Sequence, residues 1–122
     1  MSRLLILITA LLTSDVLKAD ELDCLTQILH SEAQGEPLTG IIAVAEASKN
    51  RGKNWCSMRG VSRKAVPDNL KPYYRAIAAN VVANNTNHQA RGADSWERSL
   101  KPNGHITRRI AKHTFYRRKE HG

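Results

Sequence analysis

The chain has 122 residues, 41% of them apolar and 5% aromatic, with two cysteines and a formal net charge of +8. That length holds one domain with a useful core and argues against a second. Two cysteines make no disulfide framework, and there is neither a CxxC nor a cysteine–histidine spacing that would hold zinc.

The chain opens with Met-Ser-Arg, runs through apolar Leu4 to Leu12, then turns polar at Thr13, Ser14 and Asp15 before Lys18 and Ala19. This charged, apolar, polar order is that of an export signal, expected over 1–19 with the domain over 20–122. The apolar run is about half the roughly 20 residues a bilayer-spanning helix needs. A cut after Ala19 sets Leu17 at the minus-three position, where a small residue is preferred. A buried N-terminal helix or strand is the alternative, as is an uncleaved tether. In an exported chain Cys24 and Cys56 can form one disulfide, and two free thiols are the other outcome.

Leu22, Leu25, Ile28 and Leu29 share one face of an expected helix over 21–34, with Asp20 as its cap and Gly35 as its stop. Pro37 suits the first turn of a second helix that continues to about Gly52. Its small residues Gly40, Ala43 and Ala47 are expected to pack on the first helix. Residues 52–69 read as a long surface loop that carries Trp55 and Cys56. A third helix is expected over 70–84, with Tyr74, Ile77, Ala78, Val81 and Val82 facing inward. Beyond Gly92 the expectation is a short helix or strand, then a C-terminal strand over 113–117. The fold class is therefore α+β, mainly helical, with a short C-terminal strand or hairpin.

Charge is uneven along the chain. From Ala47 onward there are 17 Lys and Arg against four acids, whereas six acids fall between Asp20 and Glu46. A basic body of this kind is drawn to polyanions. Nucleic acid, an anionic membrane and a bacterial wall all qualify, beside a basic surface that is merely solvated.

The stretch with chemical content is HSEAQGEP, residues 30–37. Glu32 falls in the last turn of the first helix, one turn before the glycine break, where two helices can form a cleft. Partial desolvation there would raise the carboxyl pKa and keep a proton for a departing glycosidic oxygen. On composition alone an acid on a helix is usually a solvated surface group.

SEAQGEPLTGIIAVAEASKNR resembles the EARGEP…G…AVA…NR motif of the SleB-type cell-wall hydrolases, a family that includes spore-cortex lytic enzymes and phage relatives. SWERS and ITRRIAKHTFYR resemble that family's closing segment, in which a tryptophan precedes a His-x-Phe-Tyr ending. The likeness runs from about Leu25 to Arg117. It implies a small lysozyme-like domain and peptidoglycan glycan-strand cleavage, with Glu32 as catalytic acid. Glu36, the Asn50-Arg51 pair, His113, Phe115 and Tyr116 fall on motif positions, and Trp96 on the tryptophan. Glu36, Trp96, His113 and Tyr116 are the expected substrate-binding residues, with no cofactor and no metal. Gln34 replaces the usual arginine and Gly52 an apolar residue, and an aromatic-rich insertion near Asp94 is missing.

The implied reaction is that of a lytic transglycosylase, in which one glutamate serves as acid and then as base. A hydrolytic muramidase needs a partner carboxylate instead, and Glu36 and Asp94 are the candidates. Glu36 can equally cap the second helix. Trp55, Tyr73 and Tyr74 can stack on sugars, though aromatics are more often core; His30 can border the site, with ordinary packing the stronger reading. The partner expected is peptidoglycan, with transient contact to an anionic membrane and no nucleic acid, for an exported monomer. A basic nucleic-acid-binding module and a noncatalytic wall-binding protein remain the other classes.

Overall fold

The computed structural model describes residues 21–52, 54–58 and 65–119. The signal expected over 1–19, the Asp20 cap and part of the expected loop lie outside the described residues. Among those described, no helix is long and apolar enough to cross a membrane.

Helix α1 spans 21–33. It buries Leu25, Ile28, Leu29 and Ala33 together with Thr26 and His30, and the Thr26 hydroxyl donates to the Leu22 carbonyl at 2.6 Å. Gly35 stops it with φ +83°, a left-handed turn that glycine takes without strain. Helix α2, Leu38–Arg51, follows after one extended residue. Pro37 is its N-cap, one position earlier than expected, and the Pro37 carbonyl accepts from the Gly40 and Ile41 N–H groups.

From Gly40 to Ser48 nearly every residue of α2 is buried. A helix apolar on all sides belongs inside a core, and the small side chains of this one let its neighbours approach closely. It touches α3, Lys71–Val82, on one side and the sheet on another. Gly40 departs from expectation. A Cβ there would lie 3.5 Å from Ile110 Cγ2 and 3.4 Å from Glu36 Cβ, in ordinary contact, so this position faces the C-terminal hairpin and the elbow.

Helix α3 faces the core with Tyr74, Ile77, Ala78 and Val81, while Val82 is half-buried against it. Lys49 of α2 closes its far end, donating from Nζ to the Val81 and Val82 carbonyls at 3.2 and 3.1 Å and to the Asn84 side chain. A cation on the terminal carbonyls of a helix is favourably placed. The expected surface loop is tied down in its first part. Trp55–Ser57 form a 3-10 turn, Trp55 is fully buried, and its indole N–H donates to the Ser48 carbonyl at 2.9 Å. The next residue, Cys56, forms a disulfide with Cys24 of α1. Closing that loop of about 30 residues contributes about 3–4 kcal/mol on the chain-entropy account.

Three antiparallel strands complete the mainly helical α+β fold: β1 Ser95–Glu97, β2 Gly104–Ile110 and β3 His113–Arg118, in the order β1-β3-β2. Strand β3, the one the sequence outlines, lies in the middle. A two-residue turn, Ala111 and Lys112, joins it to β2, with Ala111 held at φ +49°. The pairing slips between Ile106 and Arg108, and the extra residue, Thr107, turns its hydroxyl to the Ala90 carbonyl at 2.6 Å. A Cβ at Gly104 would overlap the Arg117 carbonyl, which restricts that position to glycine.

Phe115 is 0% exposed and shares the core with Ile110 and the helices. Phe115→Ala should cost about 3–5 kcal/mol and lower the melting temperature by more than about 10 °C. An unchanged melting temperature would refute the packing role.

Candidate active site

Glu32 occupies the last turn of α1 and is half-buried. The chain then doubles back through Gly35, the Glu36 N–H donates to the Ala33 carbonyl at 3.0 Å, and α2 begins. This elbow sets Glu36 beside the sheet. Its carboxylate Oε1 lies 3.5 Å from Nδ1 of His113, the first residue of β3, with the two side chains only 7% and 6% exposed. The N-cap position of α2 is held by Pro37, with no side-chain capping hydrogen bond.

His113 Nδ1 has no hydrogen-bond partner among the described residues, the Glu36 contact being too long or poorly aligned to count as one. Burial pushes the imidazole below the ordinary histidine value, Glu36 and Glu32 pull it upward, and Arg98 and Arg109 push it down again. Burial wins. The ring is edge-on to Phe115, with centroids 6.0 Å apart.

Arg51, at the end of α2, forms the second half of the cluster. Its Nε donates to the Asp94 carbonyl at 3.0 Å and an Nη donates to the Ser95 hydroxyl at 3.2 Å. The guanidinium sits 5.1 Å from the ring centre of Trp96. The neighbouring Asn50 donates from Nδ2 to the Ala93 carbonyl at 2.8 Å. The Asn-Arg pair thus fastens the short strand β1, and with it Trp96, to the central helix. Tyr116 is the cross-strand partner of Ser95, and its carbonyl accepts from the Asp94 N–H at 3.2 Å. Burial holds the Arg51 pKa down, as does Arg118, while Asp94, Tyr116 and Glu32 act in the opposite sense.

Glu32 therefore acts electrostatically on both His113 and Arg51. Of the expected residues, Glu36 and His113 lie against each other, and Trp96 lies under Arg51 on the strand that pairs with Tyr116 and Phe115. A cavity of about 300 Å³, lined by Arg51, Gly52, Asn54 and Met58, opens at the Arg51 side. Among the described residues no group of three or more His, Cys, Asp or Glu is arranged to hold a metal ion.

Asp94 is tied into the sheet. It accepts from the Arg118 N–H at 3.0 Å and the Ser95 hydroxyl at 3.1 Å, with Arg118 Nε 3.6 Å away. Burial raises its pKa, but these hydrogen bonds and the Arg118 charge outweigh it and hold the carboxyl below its usual range. His30 is buried and packs edge-on to Tyr74 at 5.7 Å, so its role is in the core. Tyr74 is buried likewise, whereas Tyr73 is exposed.

Sequence reasoning missed Glu46. This acid is buried in the small-residue face of α2 and accepts from the Thr86 hydroxyl at 2.5 Å and the Ala90 N–H at 2.8 Å, which fixes the loop that leads to β1. Its signal was a lone acid inside the apolar run AVAEAS. No protein-family model matches the chain, and neither a curated protein nor a solved structure matches it.

The folded state keeps His113 neutral at pH values where the unfolded chain has already taken up a proton. Stability should then fall as pH drops below the ordinary value of 6.5, because the unfolded state binds the extra proton. His113→Gln should flatten the stability profile between about pH 7 and pH 5, measured by denaturant unfolding. Identical slopes in both proteins would exclude His113 as the source.

Proposed function

We propose that this protein cleaves the glycan strands of peptidoglycan as a lytic transglycosylase on a lysozyme-like domain, with Glu32 as acid and then base. The observation that supports the reading is that Glu36 of the elbow lies 3.5 Å from His113 of the closing segment, while the Asn50-Arg51 pair holds residues 93–95 and sits against Trp96. These residues fall in the two separated blocks in which the sequence resembles SleB-type cell-wall hydrolases. They lie up to about 80 residues apart in the chain.

In the first step Glu32 gives its proton to the glycosidic oxygen as the bond to the anomeric carbon breaks and an oxocarbenium-like centre develops. The resulting carboxylate takes the proton of the muramic acid 6-hydroxyl as that oxygen closes on the anomeric carbon. Atoms balance without water, and Glu32 ends protonated, ready for the next cycle. Arg51 beside Trp96 forms a cationic and aromatic wall suited to a sugar chain that bears carboxylates. His113 lies against Glu36 in the elbow that follows Glu32. The Cys24–Cys56 disulfide accords with an exported protein, since disulfides persist in oxidising compartments.

Glu32→Gln keeps the shape of the side chain and removes its proton. It should lower turbidity clearing of isolated cell wall by about 10²- to 10⁴-fold while leaving the melting temperature within a degree or two of wild type. Near-normal clearing by this variant would remove Glu32 from the acid role. Mass spectrometry of the wild-type digest reads the reaction type. Muropeptides ending in 1,6-anhydro-muramic acid, lighter by one water than reducing ends, are expected. Reducing ends that take up oxygen label from heavy water would assign a hydrolytic muramidase instead, and no wall cleavage by the folded wild-type protein would reject the enzyme reading.

A further inference from the structure

The net charge of the chain is concentrated in one structural unit. Residues 98–119 hold eight of the nineteen Lys and Arg and none of the eleven Asp and Glu, which leaves eleven of each elsewhere. The unit comprises the connection from β1 to β2 and the β2–β3 hairpin. Most of its cations face solvent: Arg98, Lys101, Arg109, Lys112, Arg117, Arg118 and Lys119 are all exposed. Two aliphatic side chains are exposed among them, Leu100 at 67% and Ile106 at 45%.

We propose that this unit docks on an anionic lipid bilayer, with the cations on the headgroup phosphates and Leu100 and Ile106 entering the interface. Cations alone would fit any polyanion, and the aliphatic pair is what favours lipid. A surface that combines basic residues with exposed aliphatic ones binds at the boundary of headgroups and acyl chains, and each cation near an anionic leaflet adds to the attraction. A single nucleic-acid strand would call for exposed aromatic side chains on which bases stack, and a duplex, bound through its phosphates, would make no use of the aliphatic pair. Within residues 98–119 Phe115 is fully buried and Tyr116 half-buried and paired with Ser95, which leaves His105 as the one exposed ring there. The unit also contains His113 and Tyr116 of the candidate active site, which are buried and half-buried, whereas the lysines tested below are exposed. Arg98 and Arg109 influence His113 through their charge, and neither is needed in the test.

The test is co-sedimentation of the full chain with vesicles of phosphatidylglycerol and phosphatidylcholine, against vesicles of phosphatidylcholine alone. Partition onto neutral vesicles measures any pull from the apolar run Leu4 to Leu12, and the excess on anionic vesicles measures the hairpin. Reversing three exposed lysines together (Lys101→Glu, Lys112→Glu and Lys119→Glu) should reduce the excess by about a hundredfold or more; Lys→Gln at the same positions serves if the reversed protein melts early. Leu100→Ser with Ile106→Ser should reduce it by about tenfold and leave binding to duplex DNA unchanged. Glu32→Gln should bind vesicles as the wild type does, which keeps this inference separable from the glycan reaction. Equal partition onto neutral and anionic vesicles, no effect of either set of substitutions, or tighter binding to duplex DNA than to anionic vesicles at equal phosphate would each overturn the proposal.

Discussion

The burial of α2 on all sides is the constraint on which the rest depends. A helix whose positions from Gly40 to Ser48 run Gly, Ile, Ile, Ala, Val, Ala, Glu, Ala, Ser offers little side-chain volume. Its neighbours must therefore come close to exclude water, and close approach is what places α1, α3 and the sheet around one axis. Polar groups inside such a helix have to be satisfied locally. Ser48 donates back to the Val44 carbonyl at 2.8 Å, and Glu46 is held by Thr86 and Ala90. The ends of α2 then carry the functional geometry: the elbow with Glu36 before it, and Asn50 and Arg51 at its close.

Those two ends work differently. At the elbow, Gly35 supplies a left-handed turn and Pro37 an extended residue, so the direction of Glu36 is fixed by backbone chemistry over three residues. At the far end the geometry depends on side chains that reach over to β1, where Arg51 spends two donors on the backbone and hydroxyl of a three-residue strand. A strand that short has few ladder bonds of its own, so its position is set as much by Asn50 and Arg51 as by its pairing with β3.

Local chemistry made the three helices, their glycine stop and strand β3 legible in the sequence. The spacing of Leu22, Leu25, Ile28 and Leu29 admits one buried face, and HTFYRR is rich in residues that suit a pleated surface. The surface reading of the loop over 52–69 does not hold at Trp55, because a stretch rich in Gly, Lys and Ser masks a single aromatic anchor whose partner, Ser48, belongs to another element. The β2–β3 turn escaped because Ala111 and Lys112 lack the Asn-Gly or Asp-Gly chemistry that usually marks a two-residue hairpin; the pairing of the strands holds Ala111 at positive φ. The contact between Glu36 and His113 spans 77 positions of sequence, and only the motif resemblance hinted that the two residues belong to one neighbourhood. Asp94, a candidate partner carboxylate in the sequence, fastens strand ends through the Arg118 backbone and the Ser95 hydroxyl.

The strand order has a consequence for how the chain acquires its shape. Strands β1 and β2 share no hydrogen bonds, since β3 lies between them. Without residues 113–118 both earlier strands are edges with no neighbour, and neither Phe115 nor His113 is present to close the core over α2. The sheet is a keystone arch: remove β3 and nothing pairs β1 with β2, so both pairings form or fail with it.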